Sequence, residues 1–173
     1  IHISDCNLLE QYFMEETLMD PTSMWATWSN RTLIEGLNAS DTVVNDVLGT
    51  PGSSECIEGW FFASPMVQNP YFTDPVHIER LTFYGYPEEV INGIRWTHFD
   101  DLRNIYGVNP DGFAPIPTDN VGVQYGLEAL VNGDIDAEEF LRINSCVGSW
   151  KEQVDYVPFM PGAANIFDSD NMN

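Results

Sequence analysis

Basic residues are nearly missing from this sequence: six of 173 residues are Lys or Arg, and Lys151 is the only lysine. Set against 27 Asp and Glu, they leave a net charge of −21, which repels phosphate backbones and anionic membrane surfaces. Nucleic acid is thereby set aside as a partner. No apolar stretch approaches the ~18 residues that a membrane span needs, and no basic region followed by an apolar run marks a signal peptide. Cysteine is scarce as well. Cys6, Cys56 and Cys146 allow one internal disulfide with one thiol left over, buried or bridged to another chain, and no Cys-x-x-Cys or Cys/His spacing points to zinc.

The missing motifs exclude as much as the missing residues. Nucleophilic catalysis needs a Ser, Cys or Thr beside a base, often on a sharp Gly-x-Ser-x-Gly turn, and no such pentapeptide occurs. The three histidines, His2, His77 and His98, form no pairing that sequence supports; His98 near Asp100 and Asp101 reads as a helix-start residue beside solvated carboxylates. Two carboxylates suffice for glycoside hydrolysis, but with 27 to choose from that argument has no specificity. Neither a Gly-rich phosphate loop nor a basic aromatic patch is present. The chain alone is expected to hold no catalytic residue, cofactor or metal.

The material that is there suffices for one folded domain. The sequence is 43% hydrophobic and 13% aromatic, enough to bury a sizeable core at this length. Its acidity fits solubility alone, a saline or acidic setting, or a basic partner chain. A chain that opens on Ile1 reads as a processed or excised product. Two sequons, at Asn30 and Asn38, are candidate glycosylation sites of a secreted protein, although the Asn, Ser and Thr content supplies about that many by chance.

Apolar periodicity and end signals predict a mainly helical chain with long irregular segments. Ser4 or Asp5 opens an amphipathic helix carrying Leu8, Leu9, Tyr12 and Phe13, stopped by Asp20-Pro21. A second helix is predicted from Ser23 to Gly36 and a third from Asp41 to Gly49, followed by an exposed loop over 49–55. The stretch from Cys56 to Pro75 is aromatic and broken by prolines; it is expected to be irregular and packed by Trp60, Phe61, Phe62, Tyr71 and Phe72. Short helices are predicted at 76–84, 87–92 and 98–106, and a loop at 107–117.

Thr118 to Cys146 reads as a helical hairpin. Thr118 or Asp119 caps its first helix, Gly122 and Gly126 lie four apart on one face for close approach of a neighbour, and Asn132-Gly133 breaks it. Asp136 to Glu139 forms a capping box for its second helix. The run from Asn132 to Phe140 also resembles the second half of a calcium loop, but counting back puts Leu130 at a ligand position, and leucine cannot serve a hard cation. After Trp150 the chain is expected to be extended or irregular.

Several stretches taken together resemble a family of large secreted α/β-hydrolase-like proteins with kinship to the 3-hydroxybutyrate oligomer hydrolases. They are Ile3 to Phe13 (ISDCNLLEQYF), Cys56 with Trp60, and above all Thr118 to Leu130 (TDNVGVQYGLEAL). Shorter matches continue at 132–135, 140–144, Val147-Gly148 and 167–173. The resemblance implies that the motif starting at Ser4 follows the strand and turn carrying a nucleophilic serine, with the acid and the histidine after the matched region. Residues 1–173 then form a single helical cap-like domain, with the core sheet elsewhere. It also implies a Cys6–Cys56 disulfide, because secreted proteins oxidise well-placed cysteines and both lie in family-like stretches; Cys146 is left free or interchain.

Two functions are compatible with these readings. One is the cap or processed subunit of a secreted serine esterase, shaping the pocket for a small ester together with other chains of the same larger protein or complex. The other is a non-catalytic binding or structural subunit of an extracellular multi-chain assembly.

Overall fold

Helix α1 (Ile3–Met19) is the axis of the molecule in the computed structural model, which describes residues 3–60, 69–71, 75–93, 98–115, 120–159 and 167–173. Its apolar stripe predicts one buried face. Instead every residue from Ser4 to Glu10 is buried, and exposed residues appear only in the second half, at Glu15, Leu18 and Met19. The first half of α1 is therefore enclosed by the chain that follows, and its polar residues must find partners inside.

The expected second helix is a run of tighter turns. Two 3-10 helices, Met24–Ala26 and Trp28–Arg31, lead into a single α-turn, α2 (Thr32–Glu35). Ser23 does cap, accepting from Trp25 N at 3.3 Å. Trp25, Trp28 and Arg31 are all buried, and this spacing of three matches a 3-10 helix, in which residues i and i+3 eclipse. Gly36 ends α2 with φ 65°, as a left-handed C-terminal glycine.

The helix expected over 41–49 is instead a strand and a turn. Strand β1 (Ala39–Val44) pairs antiparallel with β2 (Pro51–Ser54), with Ala39 opposite Ser54 and Val44 opposite Pro51, and an irregularity between Ser40 and Val44. Thr42, Val43 and Val44 are consecutive β-branched residues, which favour a strand over a helix. Asn45 then makes the turn: its Oδ1 accepts from Val47 N and Leu48 N, both at 2.8 Å. The expected exposed loop over 49–55 is corrected in turn, since Gly52, Ser53 and Ser54 are buried. Gly52 has φ 92°, and a Cβ there would lie 1.9 Å from the Trp28 ring.

Helix α3 (Glu55–Gly59) follows directly, giving regular structure where none was expected. Trp60 and Tyr71 do not pack as expected, being 40% and 38% exposed. Phe61, Phe62 and Phe72 lie outside the described residues. The three short helices match expectation closely: α4 (Pro75–Phe83), α5 (Glu88–Gly93) and α6 (His98–Tyr106).

The hairpin is shorter than predicted. Helix α7 (Leu127–Asn132) begins only after Gly126, and α8 (Ala137–Cys146) follows the expected break at Gly133. Gly122 and Gly126 are therefore turn residues, with φ 82° and 77°, a backbone that glycine adopts at no steric cost. The caps expected at Thr118 or Asp119 lie outside the described residues. Asp136 caps α8 by accepting from Glu139 N at 2.8 Å.

The main core joins Leu8, Leu9, Tyr12 and Phe13 of α1 to Trp25, to Tyr125 and Ala129 around α7, and to Ile135, Ile143 and Val147 around α8. A smaller cluster holds Trp28, Ile57 and Phe167. Two 3-10 turns, Gln153–Asp155 and Ser169–Asn171, organise the final stretch, which an isolated bridge between Trp150 and Met172 draws together. The result is mainly helical with irregular segments, and the β1–β2 hairpin is its one sheet among the described residues.

Candidate functional site

The first turn of α1 opens onto a cleft of about 220 Å³. Ser4, Asp5 and Leu8 form one wall, the loop carrying Asn109, Asp111 and Ala114 another, and Asn120 with Ser149 to Gln153 the rest. The walls are pinned by hydrogen bonds between segments far apart in the chain and within the loop. Trp150 Nε1 donates to Ser4 O at 3.1 Å, and Asn120 Nδ2 to Gly148 O at 2.7 Å. Asp111 Oδ1 accepts from Phe113 N at 3.0 Å, shaping the loop. Lys151 Nζ reaches Asp170 O at 2.6 Å, which ties the only lysine to the C-terminal turn.

Of two buried polar groups nearby, Gln153 belongs to the cleft lining and Tyr125 adjoins the lining residue Asp5. The Tyr125 hydroxyl is held above its ordinary range, first by burial and then by the Asp5 carboxylate, so it remains a neutral hydroxyl. Gln153 is 5% exposed, and its Nε2 has no hydrogen-bond partner among the described residues. A buried amide donor left unpaired costs about 1–3 kcal/mol.

A second polar cluster is sealed inside. Glu10, Arg31, Glu35 and Ser54 are each no more than 3% exposed. Arg31 meets Glu10 Oε2 at 2.5 Å and donates through Nε to Trp25 O at 3.1 Å, while its guanidinium stacks 3.7 Å from the Trp28 ring centroid. Ser54 Oγ donates to Glu10 Oε1. Glu35 stands beside this pair with neither carboxyl oxygen bonded. Burial, and then the neighbouring Glu10 charge, push it up to about 10. One guanidinium with one carboxylate and one carboxylic acid leaves the cluster neutral, the state that a low-dielectric interior favours. With no access to solvent it serves as an anchor tying α1, α2 and β2 together.

Glu139 links the helices in the same way. It does not bond back to its cap but accepts from Trp25 Nε1 at 2.6 Å and from Tyr12 OH at 3.1 Å, both through Oε1. Asp168 is buried at φ 61° and takes Asn171 Nδ2 at 2.8 Å. Burial pushes its carboxyl up to about 6, against the donations from Asn171 and Asn69.

The residues singled out from sequence are dispersed. Cys6 and Cys56 are joined, with Cα atoms 5.1 Å apart, and Cys146 is free and exposed. Asn30 is half-buried and donates to Met24 O at 2.8 Å; Asn38 is exposed and donates to Glu55 Oε1 at 3.1 Å. The side chains of His2, His77 and His98 lie outside the described residues. No three His, Cys, Asp or Glu side chains among the described residues are placed to hold a metal ion. Asn109 and Gln153 of the cleft were not legible in advance, because they fall in irregular segments without a motif, and Asn120 lies in the family-like stretch from Thr118 to Leu130 but was expected in a helix.

No curated protein and no solved structure matches the chain significantly. Residues 1–159, most of the length, match the model of the Tannase-like family of unknown function (DUF6351), and the chain belongs to that family.

Proposed function

We propose that this chain is the helical cap, or a processed subunit carrying it, of a secreted serine esterase of α/β-hydrolase type. Its cleft at the start of α1 forms part of the wall of the substrate pocket. The carrying observation is that a chain of a tannase-like family folds as helices around one small antiparallel hairpin among its described residues. A hydrolase of this type presents its serine on a strand–turn–helix at the top of a mainly parallel sheet, and a cap supplies walls and excludes water. The kinship with 3-hydroxybutyrate oligomer hydrolases belongs to this reading, as does extracellular location. The Cys6–Cys56 bond supports the latter, since disulfides persist in oxidising compartments.

The test is reconstitution. The chain purified to homogeneity is expected to leave p-nitrophenyl butyrate intact, while material that also contains a Gly-x-Ser-x-Gly chain hydrolyses it. Turnover by the isolated chain that a single substitution here abolishes would overturn the proposal. A second reading, a non-catalytic subunit of an extracellular assembly, draws on apolar side chains left outside: Phe83, Tyr84 and Ile105 are 84%, 73% and 69% exposed. Copurifying chains that lack any such motif would favour it.

A further inference from the structure

The last described stretch, 167–173, is assembled around one carboxylate. Asp168 is fully buried, and among the described residues it is the one non-glycine residue with positive φ, at 61°, a backbone that side chains rarely adopt. Its oxygens accept from Asn171 Nδ2 at 2.8 Å and from Asn69 Nδ2 at 3.4 Å. The same amides hold a third segment: both donate to Val157 O, at 2.9 and 2.8 Å, and Asn171 Oδ1 accepts from Val157 N at 2.7 Å. Segments 69–71, 156–157 and 167–171 therefore meet at Asp168. From there the stretch reaches the cleft wall. Lys151 N donates to Asn171 O at 2.9 Å, Asn173 N donates to Ser149 O at 2.7 Å, and Trp150 bridges to Met172; Ser149, Trp150 and Lys151 all line the cleft.

No Lys, Arg or His among the described residues pairs with Asp168. Asp170 in its own turn adds a second negative charge. The buried Tyr156 phenol is kept neutral by burial and then by the Asp168 and Glu152 carboxyls. Lys151 directs its ammonium to Asp170 O, and α1 meets the turn through the uncharged Asn7 amide, which donates to Phe167 O at 3.4 Å. A buried carboxylate without an opposite charge tends to take up a proton instead.

We propose that Asp168 is a proton-operated latch: neutral, it holds 167–173 against 149–151 and completes the cleft wall, and ionised, it lets that stretch come away. The latch goes beyond the cap reading and draws on it only for the role of the cleft. Burial raises the carboxyl from 3.8 to about 6, so the latched form keeps a proton that the released form gives up. Latching is thus strongest in acid and weakens as pH rises. With these two values the opening constant grows about tenfold between pH 5 and pH 7.5 and is nearly level above that.

Hydrogen exchange of the purified protein, read by peptide mass spectrometry and corrected for the intrinsic pH dependence of exchange, measures the opening without any turnover. Peptides from 149–157 and 167–173 are expected to lose about tenfold in protection from pH 5 to pH 7.5. Asp168→Asn keeps the shape of the neutral acid and suits a left-handed backbone, and it is expected to abolish that loss in the same peptides. A loss of equal size in the folded variant would assign the effect to another group and overturn the proposal. A flat wild-type profile, or protection that grows with pH, would do the same. Should Asp168→Asn fail to fold, the carboxyl carbon resonance of Asp168 in carbon-13-labelled wild-type protein decides: titration near pH 6 supports the latch, and titration below pH 5 overturns it.

Discussion

Glu35 shows what a single residue contributes when a helix end is buried. It lies one residue before the Gly36 cap of α2 and faces Glu10 of α1, Arg31 of the preceding 3-10 turn and Ser54 of β2. Its folded-state pKa, raised to about 10 from 4.5, means that the native protein keeps a proton which the unfolded chain releases. The contribution is fully present below about pH 4.5 and is lost as pH rises toward 10, with a slope of up to about 1.4 kcal/mol per pH unit. Glu35→Gln keeps the shape and removes the titration. Urea unfolding of both proteins from pH 5 to pH 9 should show the variant gaining on the wild type at each step; a constant difference would mean that Glu35 is ionised in the native state. Nothing in the sequence marked this residue, because a glutamate four residues into a helical pattern looks the same whether it faces water or another carboxylate.

Among the elements, the turn from 120 to 126 separates what periodicity can tell from what it cannot. The apolar positions Leu127, Leu130 and Val131 fit a helix equally well whether it starts at Asn120 or at Leu127, so the sequence placed Gly122 and Gly126 inside it. In the structure both are left-handed, yet only one touches anything. A Cβ on Gly126 would lie 2.7 Å from Ile34 Cδ1 and 3.0 Å from Ile135 Cδ1, whereas one on Gly122 would meet nothing within 4 Å. Gly122→Ala should therefore cost only the left-handed backbone penalty, about 1–2 kcal/mol. Gly126→Ala should cost that plus an overpacking term of about 1–3 kcal/mol. Chemical denaturation of the two variants provides the measurement, and equal losses would count against the close approach at Gly126. The reverse error occurred at β1, where Val43, Val44 and Val47 mimic helical spacing while the β-branched run beside a serine-rich partner strand decides for a hairpin. Helices bounded by strong signals, such as α1 before Pro21, α6 and α8 after Asp136, were legible almost to the residue. The cleft was not, because its walls come from four segments that only tertiary packing brings together.

For the molecule as a whole, charge and cross-linking work in opposite directions. A net charge of −21 on 173 residues favours expansion through self-repulsion. Salt screens it, with a Debye length near 10 Å at 0.1 M. The melting temperature is therefore expected to rise between 10 mM and 500 mM NaCl, and a flat response would indicate that the carboxylates are already neutralised by their neighbours. The Cys6–Cys56 bond spans 50 residues, and closing a loop of that length in the unfolded chain is worth about 4 kcal/mol in the chain-entropy estimate. Replacing both cysteines by serine should lower the unfolding free energy by up to that amount, measured by urea titration under non-reducing conditions.

The enclosure of α1 also bears on the order in which the protein can assemble. Tyr12 reaches Glu139, Ser4 reaches Trp150, and Asn7 reaches Phe167, across sequence separations of 127, 146 and 160 residues. One side of α1 finds Trp25, Arg31, Ser54 and Cys56 in the segment that follows it, whereas these contacts of longer range close slowly. The side of α1 that carries Ser4, Asn7 and Tyr12 must therefore wait for its partners until nearly all of the described chain has been synthesised. Docking of the 149–153 and 167–173 segments onto it then completes the fold and the cleft in the same step.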